Sequence, residues 1–196
     1  MRILFLAQLP PPIHGPSQMS KLLLKAIKSE KSLNCDYLNI STAENLENIG
    51  HFKLFKLFKL FINLIKFIKL LMNKEYDIFY ISMAISDKAF FKDAIYLILA
   101  KIFIKRRIIH FHSKGLKKRL KHKGTKFLIE KFYSTIFKDC ELIHLSKSLL
   151  DDLQIDHFKS IHIIPNGIDD KFIYKKNSIK EYQVLFLSNI IKTKGI

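Results

Sequence analysis

Residues 2–29 read RILFLAQLPPPIHGPSQMSKLLLKAIKS, and this stretch decides the fold class. Arg2–Ala7 is a nearly continuous apolar run without polar alternation, which is typical of a strand buried on both faces of a parallel sheet. A proline-rich loop follows, and Ser17–Ser29 has the apolar spacing of an amphipathic helix. We therefore predict a strand, a loop and a helix that begins near Ser17, with this serine as the cap.

The alternation of strand and helix continues along the chain. Further apolar runs predict strands at Cys35–Ile40, Asp77–Ser82, Arg107–His112, Glu141–Leu145, Ser160–Ile164 and Tyr182–Leu187. Helical patterns lie between them at His51–Asn73, Lys88–Ile104, Lys126–Phe137 and Lys147–Leu153. This order predicts an α/β fold with a doubly wound, Rossmann-like parallel sheet. Ligands of such sheets bind outside the carboxyl ends of the strands, so the loops after strands are the candidate site.

The chain of 196 residues is long enough for one full domain and a little more. With 48% hydrophobic residues it has the material for a core, which excludes global disorder. The polar stretch Asp170–Glu181 is the predicted boundary. We assign residues 1–172 to a first lobe, 173–181 to a linker and 182–196 to the beginning of a second lobe.

The formal net charge is +17, from 34 Lys and Arg against 17 Asp and Glu. This excess indicates a polyanionic partner such as phospholipid, nucleic acid or a phosphorylated substrate, although compositional bias alone would also produce it. Cys35 and Cys140 are far apart, which predicts a reducing cytoplasm without a disulfide framework or a metal site. The apolar run 94–104 has about half of the roughly 20 residues that a membrane-spanning helix needs, so we expect no such helix.

Two loops carry candidate binding residues. The loop after the first strand contains Gly15, which permits close approach of the backbone, beside a helix start whose N–H groups attract anions. An ordinary turn is the alternative.

His110 and His112 share one face of the fourth strand because they are two residues apart. We predict that His112 hydrogen-bonds a substrate and that His110 is internal, the alternative being a structural histidine; no third ligand for a metal is evident nearby.

Residues 51–73 read HFKLFKLFKLFINLIKFIKLLMN, the pattern of a basic amphipathic helix. One side holds Lys53, Lys56, Lys59, Asn63, Lys66 and Lys69, and the other holds Leu54, Leu57, Phe58, Phe61, Leu64, Ile65 and Ile68. Such helices lie in a membrane interface, where anionic lipids attract the lysines. We predict membrane contact through these lysines with Phe58 and Phe61. A core-packed helix with solvated lysines is the alternative.

A second basic region, Lys101–Lys131, has 12 Lys and Arg and one acid. It could hold phosphate groups, lipid headgroups or nucleic acid. Aromatic residues are absent from its Lys-rich part until Phe127, so a surface that stacks bases is poorly supported.

In order and spacing, several motifs resemble those of the retaining glycosyltransferases of family four, which have the two-lobed GT-B fold. They are the Gly15 loop, His-x-His-x-x-Gly at 110–115, Pro165-Asn166-Gly167-Ile168-Asp169, and Leu187-Ser188-Asn189 followed by Lys194-Gly195. The resemblance implies a first lobe that holds a glycan or lipid-linked acceptor and a second lobe that holds a nucleotide-sugar donor. It implies no metal and no cofactor beyond that donor.

The resemblance also implies residue roles. His112 would be the catalytic residue near the transferred sugar. Gly15 and Lys194 would bind the donor phosphate, because a fixed cation stabilises the charge that develops on a leaving diphosphate. His14, Asn166, Ser188 and Asn189 would line the cleft.

Three features depart from the family pattern: the first loop has one glycine, Ser188-Asn189 replaces a Gly-Arg pair, and no Glu-x7-Glu segment is present. We therefore expect a truncated transferase of cell-surface polysaccharide synthesis that is inactive alone. We expect it to be cytoplasmic and peripheral on the inner face of the cytoplasmic membrane. The alternatives are a non-catalytic basic membrane-binding module or one half of a split transferase with a separate donor-lobe chain. A nucleic-acid-binding protein is a third reading, and we expect no nucleic-acid partner.

Overall fold

The computed structural model describes residues 1–42, 54–85, 87–116, 126–153 and 155–167. This part of the chain is an α/β fold with a six-stranded parallel sheet. The strands are β1 (Arg2–Ala7), β2 (Asn34–Asn39), β3 (Ile78–Met83), β4 (Arg106–Phe111), β5 (Cys140–His144) and β6 (Ser160–Ile163). The helices are α1 (Gly15–Ser29), α2 (Leu54–Asn73), α3 (Asp87–Phe103) and α4 (Lys126–Phe137). Two 3-10 helices, Lys147–Asp152 and Ile155–His157, join β5 to β6.

The strand order is β2-β1-β3-β4-β5-β6. Burial follows this order, because every residue of the inner strand β3 is buried whereas the edge strands β2 and β6 are partly exposed. From β1 the chain moves outward to β2, and it then returns to β3 on the other side of β1. Parallel sheets bind ligands at the carboxyl ends of the strands where the order reverses in this way. The reversal therefore directs attention to the loops after β1 and β3, and the loop after β4 follows the strand next to β3 at the same edge.

Alternate residues of β1 serve two hydrophobic clusters on opposite faces of the sheet. Ile3 and Phe5 belong to the cluster that receives Leu24 of α1. Leu4 and Leu6 belong to the larger cluster, which receives α2, α3 and α4. Within it, the Phe67 and Tyr96 rings join α2 to α3 at 5.2 Å, and the Phe90 and Tyr133 rings join α3 to α4 at 5.2 Å. The helix α3 thus lies between α2 and α4.

The predicted parallel α/β fold is confirmed, with strand bounds that differ by about a residue from those expected. The helix α1 begins at Gly15, two residues before Ser17, and the helical pattern at Lys147–Leu153 forms a 3-10 helix over Lys147–Asp152. The chain divides into compact units Met1–Asn166 and Gly167–Ile196. The predicted linker 173–181 and the strand Tyr182–Leu187 lie outside the described residues.

Candidate binding cleft at the carboxyl edge of the sheet

The loop after β1 ends in a capping box formed by His14 and Ser17. The His14 backbone is extended and its Nδ1 accepts the Ser17 N–H at 3.3 Å, while the Ser17 Oγ accepts the His14 N–H at 3.0 Å. The expectation that Ser17 is the cap is therefore wrong, because a histidine ring nitrogen acts as the acceptor that the serine was expected to supply. Burial lowers the pKa of His14, which leaves its ring neutral and able to accept.

This cap also changes the anion-binding potential of the helix start. His14 engages the N–H groups of Ser17 and Gln18, and Pro16 has none. The Gly15 N–H is the remaining donor of the first turn. A Cβ added at Gly15 would meet no atom within 4 Å, so the space beside this glycine is open. The expected access to the Gly15 backbone is thus present, but with fewer free N–H groups than a helix start ordinarily offers.

His110 and His112 lie on one side of β4 and its end, as the sequence predicts, with ring centroids 4.0 Å apart. His110 is buried, and its Nδ1 is 2.7 Å from the Tyr80 hydroxyl of β3. Burial lowers the pKa of His110 to about 3, with smaller contributions from His112 and His144. The ring is therefore neutral, and the predicted internal position of His110 is confirmed.

His112 follows β4 and is mostly enclosed. Burial lowers its pKa to about 4, His144 and His14 lower it further, and the adjacent amide of Asn166 acts in the opposite direction. Within the described part of the chain neither ring nitrogen has a hydrogen-bond partner of acceptable geometry, despite the nearby Asn166. Buried polar atoms are ordinarily paired, so these two nitrogens mark a place where a ligand or water would bind.

Two side chains near these histidines were missed by sequence reasoning. His144 ends β5, is fully buried, and accepts the Leu145 N–H through Nδ1 at 2.9 Å. Tyr80 lies on β3, and burial raises the pKa of its hydroxyl, which keeps it protonated. The signal for His144 was its place at a strand end. That for Tyr80 was the pairing of β3 with β4, which brings Tyr80 and His110 onto the same face.

Gly115, the last residue of the histidine motif, is required by the backbone. Its φ is +144°, and a Cβ there would lie 3.2 Å from the Ile85 Cγ2. Residues other than glycine rarely adopt this conformation. The glycine therefore allows the segment after His112 to pass close to the loop after β3.

Some of the residues predicted to line the cleft lie among the described residues, and others do not. The structure brings His14, His112 and Asn166 into one neighbourhood, with Gly15 next to His14. Lys194, Ser188 and Asn189 lie outside the described residues. Among the residues that are described, no group of three His, Cys, Asp or Glu side chains is arranged to hold a metal ion.

The helix α2 carries the predicted membrane-contact residues. The Phe58 and Phe61 side chains are about three-fifths exposed, and Lys66 and Lys69 are exposed. Lys56 and Lys59 are half-buried, and Lys53 lies outside the described residues. The lysine side is not wholly solvated, because Asn63 on that side is buried, with its amide nitrogen 3.5 Å from the Asn39 carbonyl.

No protein-family model, curated protein or solved structure matches this chain. Across the ranges that the structure covers, no helix is both long and apolar enough to cross a bilayer.

Proposed function

We propose that this chain provides the acceptor lobe of a retaining glycosyltransferase that transfers a sugar from a nucleotide-sugar donor to a glycan or lipid-linked acceptor. Such a protein would contribute to cell-surface polysaccharide synthesis. The observation that carries the proposal is the enclosed His112 ring, whose nitrogens have no partner of acceptable geometry and which lies near His14, the residue before Gly15.

The chemistry of His112 supports contact with a sugar. A neutral imidazole donates through one nitrogen and accepts through the other, and a sugar hydroxyl likewise does both. Because its pKa is lowered to about 4, the ring stays neutral at physiological pH. We assign His112 to the hydroxyl groups of the transferred sugar and the Gly15 N–H to a donor phosphate oxygen. Lys194 would neutralise the leaving diphosphate, and His14, Asn166, Ser188 and Asn189 would line the cleft.

Nuclear magnetic resonance of the histidine rings tests this assignment. The full chain is titrated separately with nucleotide sugars, matching nucleoside diphosphates and a lipid-linked saccharide in detergent. We expect the His112 ring signals to shift with a sugar-bearing ligand, and those of His162, an exposed histidine on β6, to stay in place. Equal shifts at both histidines, or none at either, would contradict the proposal.

Sugar transfer in the presence of a donor-lobe polypeptide tests the proposed role of His112. We expect a separately supplied donor-lobe polypeptide to give turnover with the wild-type chain and at least about 100-fold less with His112→Ala, the scale of a lost transition-state contact. Radiolabelled sugar incorporated into the acceptor is the measurement. Turnover that is unchanged in His112→Ala would remove this residue from the reaction.

The partly exposed apolar side of α2 favours a second candidate function, a basic module that binds membrane without catalysis. Phe58 and Phe61 are exposed near Lys66 and Lys69, which fits a peripheral position on an anionic bilayer. In either case we place the chain at the inner face of the cytoplasmic membrane. Vesicle binding without any sugar-dependent shift at His112 would favour the module over the transferase.

A further inference from the structure

The helix α3 has an apolar outward side that no prediction above uses. Its exposed residues include Phe91, Ile95, Ile98 and Ile102, spaced by four, three and four positions. Residues with this spacing lie along one side of a helix. The opposite side contributes Tyr96 and Ala100 to the core. An apolar side of a helix is ordinarily covered, yet Ile102 is 72% exposed.

The helix α2 has a matching stripe. Its exposed apolar residues Phe58, Phe61, Ile65, Ile68 and Met72 are spaced by three, four, three and four positions. Asn63 faces the end of β2, which turns that flank of α2 away from α3. Phe61 and Ile68 occupy the other flank, the one nearer α3, by the 3.6-residue period of the helix. The two stripes therefore form one apolar surface, which we call the α2–α3 face.

Charge identifies the occupant of this face. Exposed lysines surround it: Lys66 and Lys69 on α2, Lys101 and Lys105 at the end of α3, and Lys131 on α4. Of the acidic residues on these helices whose side chains are described, Asp93 is buried and Glu130 is half-buried, and Glu75, just past the end of α2, is exposed. A second copy of the chain would bring like charges together, which opposes association. An apolar centre with a basic rim instead matches the acyl chains and phosphates of an anionic bilayer.

We propose that the α2–α3 face lies flat on an anionic lipid bilayer, with both stripes at the boundary of headgroups and acyl chains. The proposal deepens the membrane contact of α2 and rests on it, but it does not depend on sugar transfer. Its new element is α3, whose Ile98 and Ile102 enter the lipid together with Phe61 of α2.

The absence of tryptophan from the chain permits a direct test. Single reporters are placed at Ile102→Trp on α3, Phe61→Trp on α2, and Leu22→Trp on α1. Leu22 is a matched control because it is also an exposed apolar residue but lies on the helix across the sheet. With vesicles of phosphatidylcholine and phosphatidylglycerol, we expect emission from the first two reporters to shift to the blue and to be quenched by brominated acyl chains. The Leu22→Trp reporter is expected to do neither.

The outcomes separate the claims. A response at Phe61→Trp without one at Ile102→Trp overturns the role of α3 and leaves the contact of α2 intact. If neither reporter responds to the vesicles, the contact of α2 and the role of α3 are both overturned. Lipid-free blue emission from Ile102→Trp, together with a dimer mass by light scattering, would assign the face to a second copy and overturn the proposal.

A charge-neutral variant tests the apolar contribution separately. The double variant Ile98→Ser with Ile102→Ser keeps the net charge, so a loss of binding reports lost apolar contact. We expect its partition coefficient into the anionic vesicles to fall at least about tenfold, since each buried methylene contributes about 0.8 kcal/mol. Leu22→Ser should bind like the wild type. Unchanged binding by the folded double variant, as judged by circular dichroism, would refute the role of α3.

Discussion

Two enclosed imidazoles make the stability of this fold depend on pH. Burial lowers the pKa values of His110 and His112 to about 3 and about 4, from 6.5 in the unfolded chain. Below pH 6.5 the unfolded chain therefore binds more protons than the folded one, and stability falls as pH falls towards the folded pKa values. Each pKa unit of difference corresponds to about 1.4 kcal/mol, and partial exposure of His112 reduces its share.

We expect the urea midpoint of the wild-type chain to decrease steadily between about pH 7 and about pH 5, above the range where carboxyl groups titrate. His112→Gln removes one titrating ring and should flatten this dependence. A wild-type midpoint that does not change across this range would show that neither ring is buried as described.

Alanine substitution of two glycines at the same edge of the sheet should change the free energy of unfolding at one position and leave it unchanged at the other. At Gly115 the positive φ and the nearby Ile85 make a Cβ costly, so Gly115→Ala should lose about 1–3 kcal/mol of unfolding free energy. At Gly15 a Cβ meets nothing, so Gly15→Ala should unfold like the wild type. If Gly15 approaches a donor phosphate as proposed, the same variant will bind nucleotide sugar more weakly. Chemical denaturation and calorimetric titration of both variants give the two answers, and a destabilised Gly15→Ala would contradict the open space.

At the scale of elements, α1 depends on a cap buried beneath the loop after β1. Ser17 is fully buried, and its hydroxyl lies 2.9 Å from both the Pro12 and His14 carbonyl oxygens while accepting the His14 N–H. We expect Ser17→Ala to lower the unfolding free energy by about 1–2 kcal/mol, because it removes the serine half of the capping box and leaves the His14 N–H and the Pro12 carbonyl without this partner. Ser29→Ala, at the exposed end of the same helix, should change it by less than about 0.5 kcal/mol. Equal losses in urea denaturation would show that the cap has no special role.

The sequence predicts those helices and strands whose position is determined by a local pattern of apolar and polar residues. The uninterrupted apolar runs of β1 and β3 predict buried parallel strands because a strand covered on both faces has no polar side. The cap of α1 is the part of this helix that the sequence pattern misses, because serine is the commoner cap whereas here the His14 ring accepts the Ser17 N–H. The site was predictable at His112, which follows a strand, but Tyr80 belongs to it through a neighbouring strand. Such a contact depends on strand pairing, which the local sequence does not encode.

Strand pairing and helix packing also determine which side of α2 is exposed. The sequence shows lysines on one side of the helix and apolar residues on the other, but it does not decide whether the apolar side packs on the core or meets a membrane. In the fold, Phe67 and Leu71 face the core, and a second apolar stripe remains outside. The apolar side of α2 is wider than the surface that packs on the core. Part of it therefore remains exposed as a stripe.

At the scale of the whole molecule, two contributions should favour binding to anionic membranes: the net charge of +17 and the apolar α2–α3 face. Attraction of lysines to anionic headgroups is screened by salt, whose Debye length falls to about 3 Å at 1 M, whereas burial of apolar stripes is not weakened by screening. We therefore expect binding to anionic vesicles to weaken between about 50 mM and about 500 mM salt but to level off above zero. Binding to an oligonucleotide, if present at low salt, should fall steeply and without a plateau, because it rests on phosphate contacts alone.

Co-sedimentation of the wild-type chain across this salt series distinguishes the two partners, and the Ile98→Ser and Ile102→Ser double variant supplies the control. This variant retains every lysine, so its low-salt binding should persist in part while its high-salt plateau disappears. Plateaus of equal height in the two proteins would mean that the residual binding comes from elsewhere on the surface. Oligonucleotide binding that outlasts vesicle binding at high salt would instead favour a nucleic-acid partner, because only a surface that reads more than phosphate charge retains nucleic acid under those conditions.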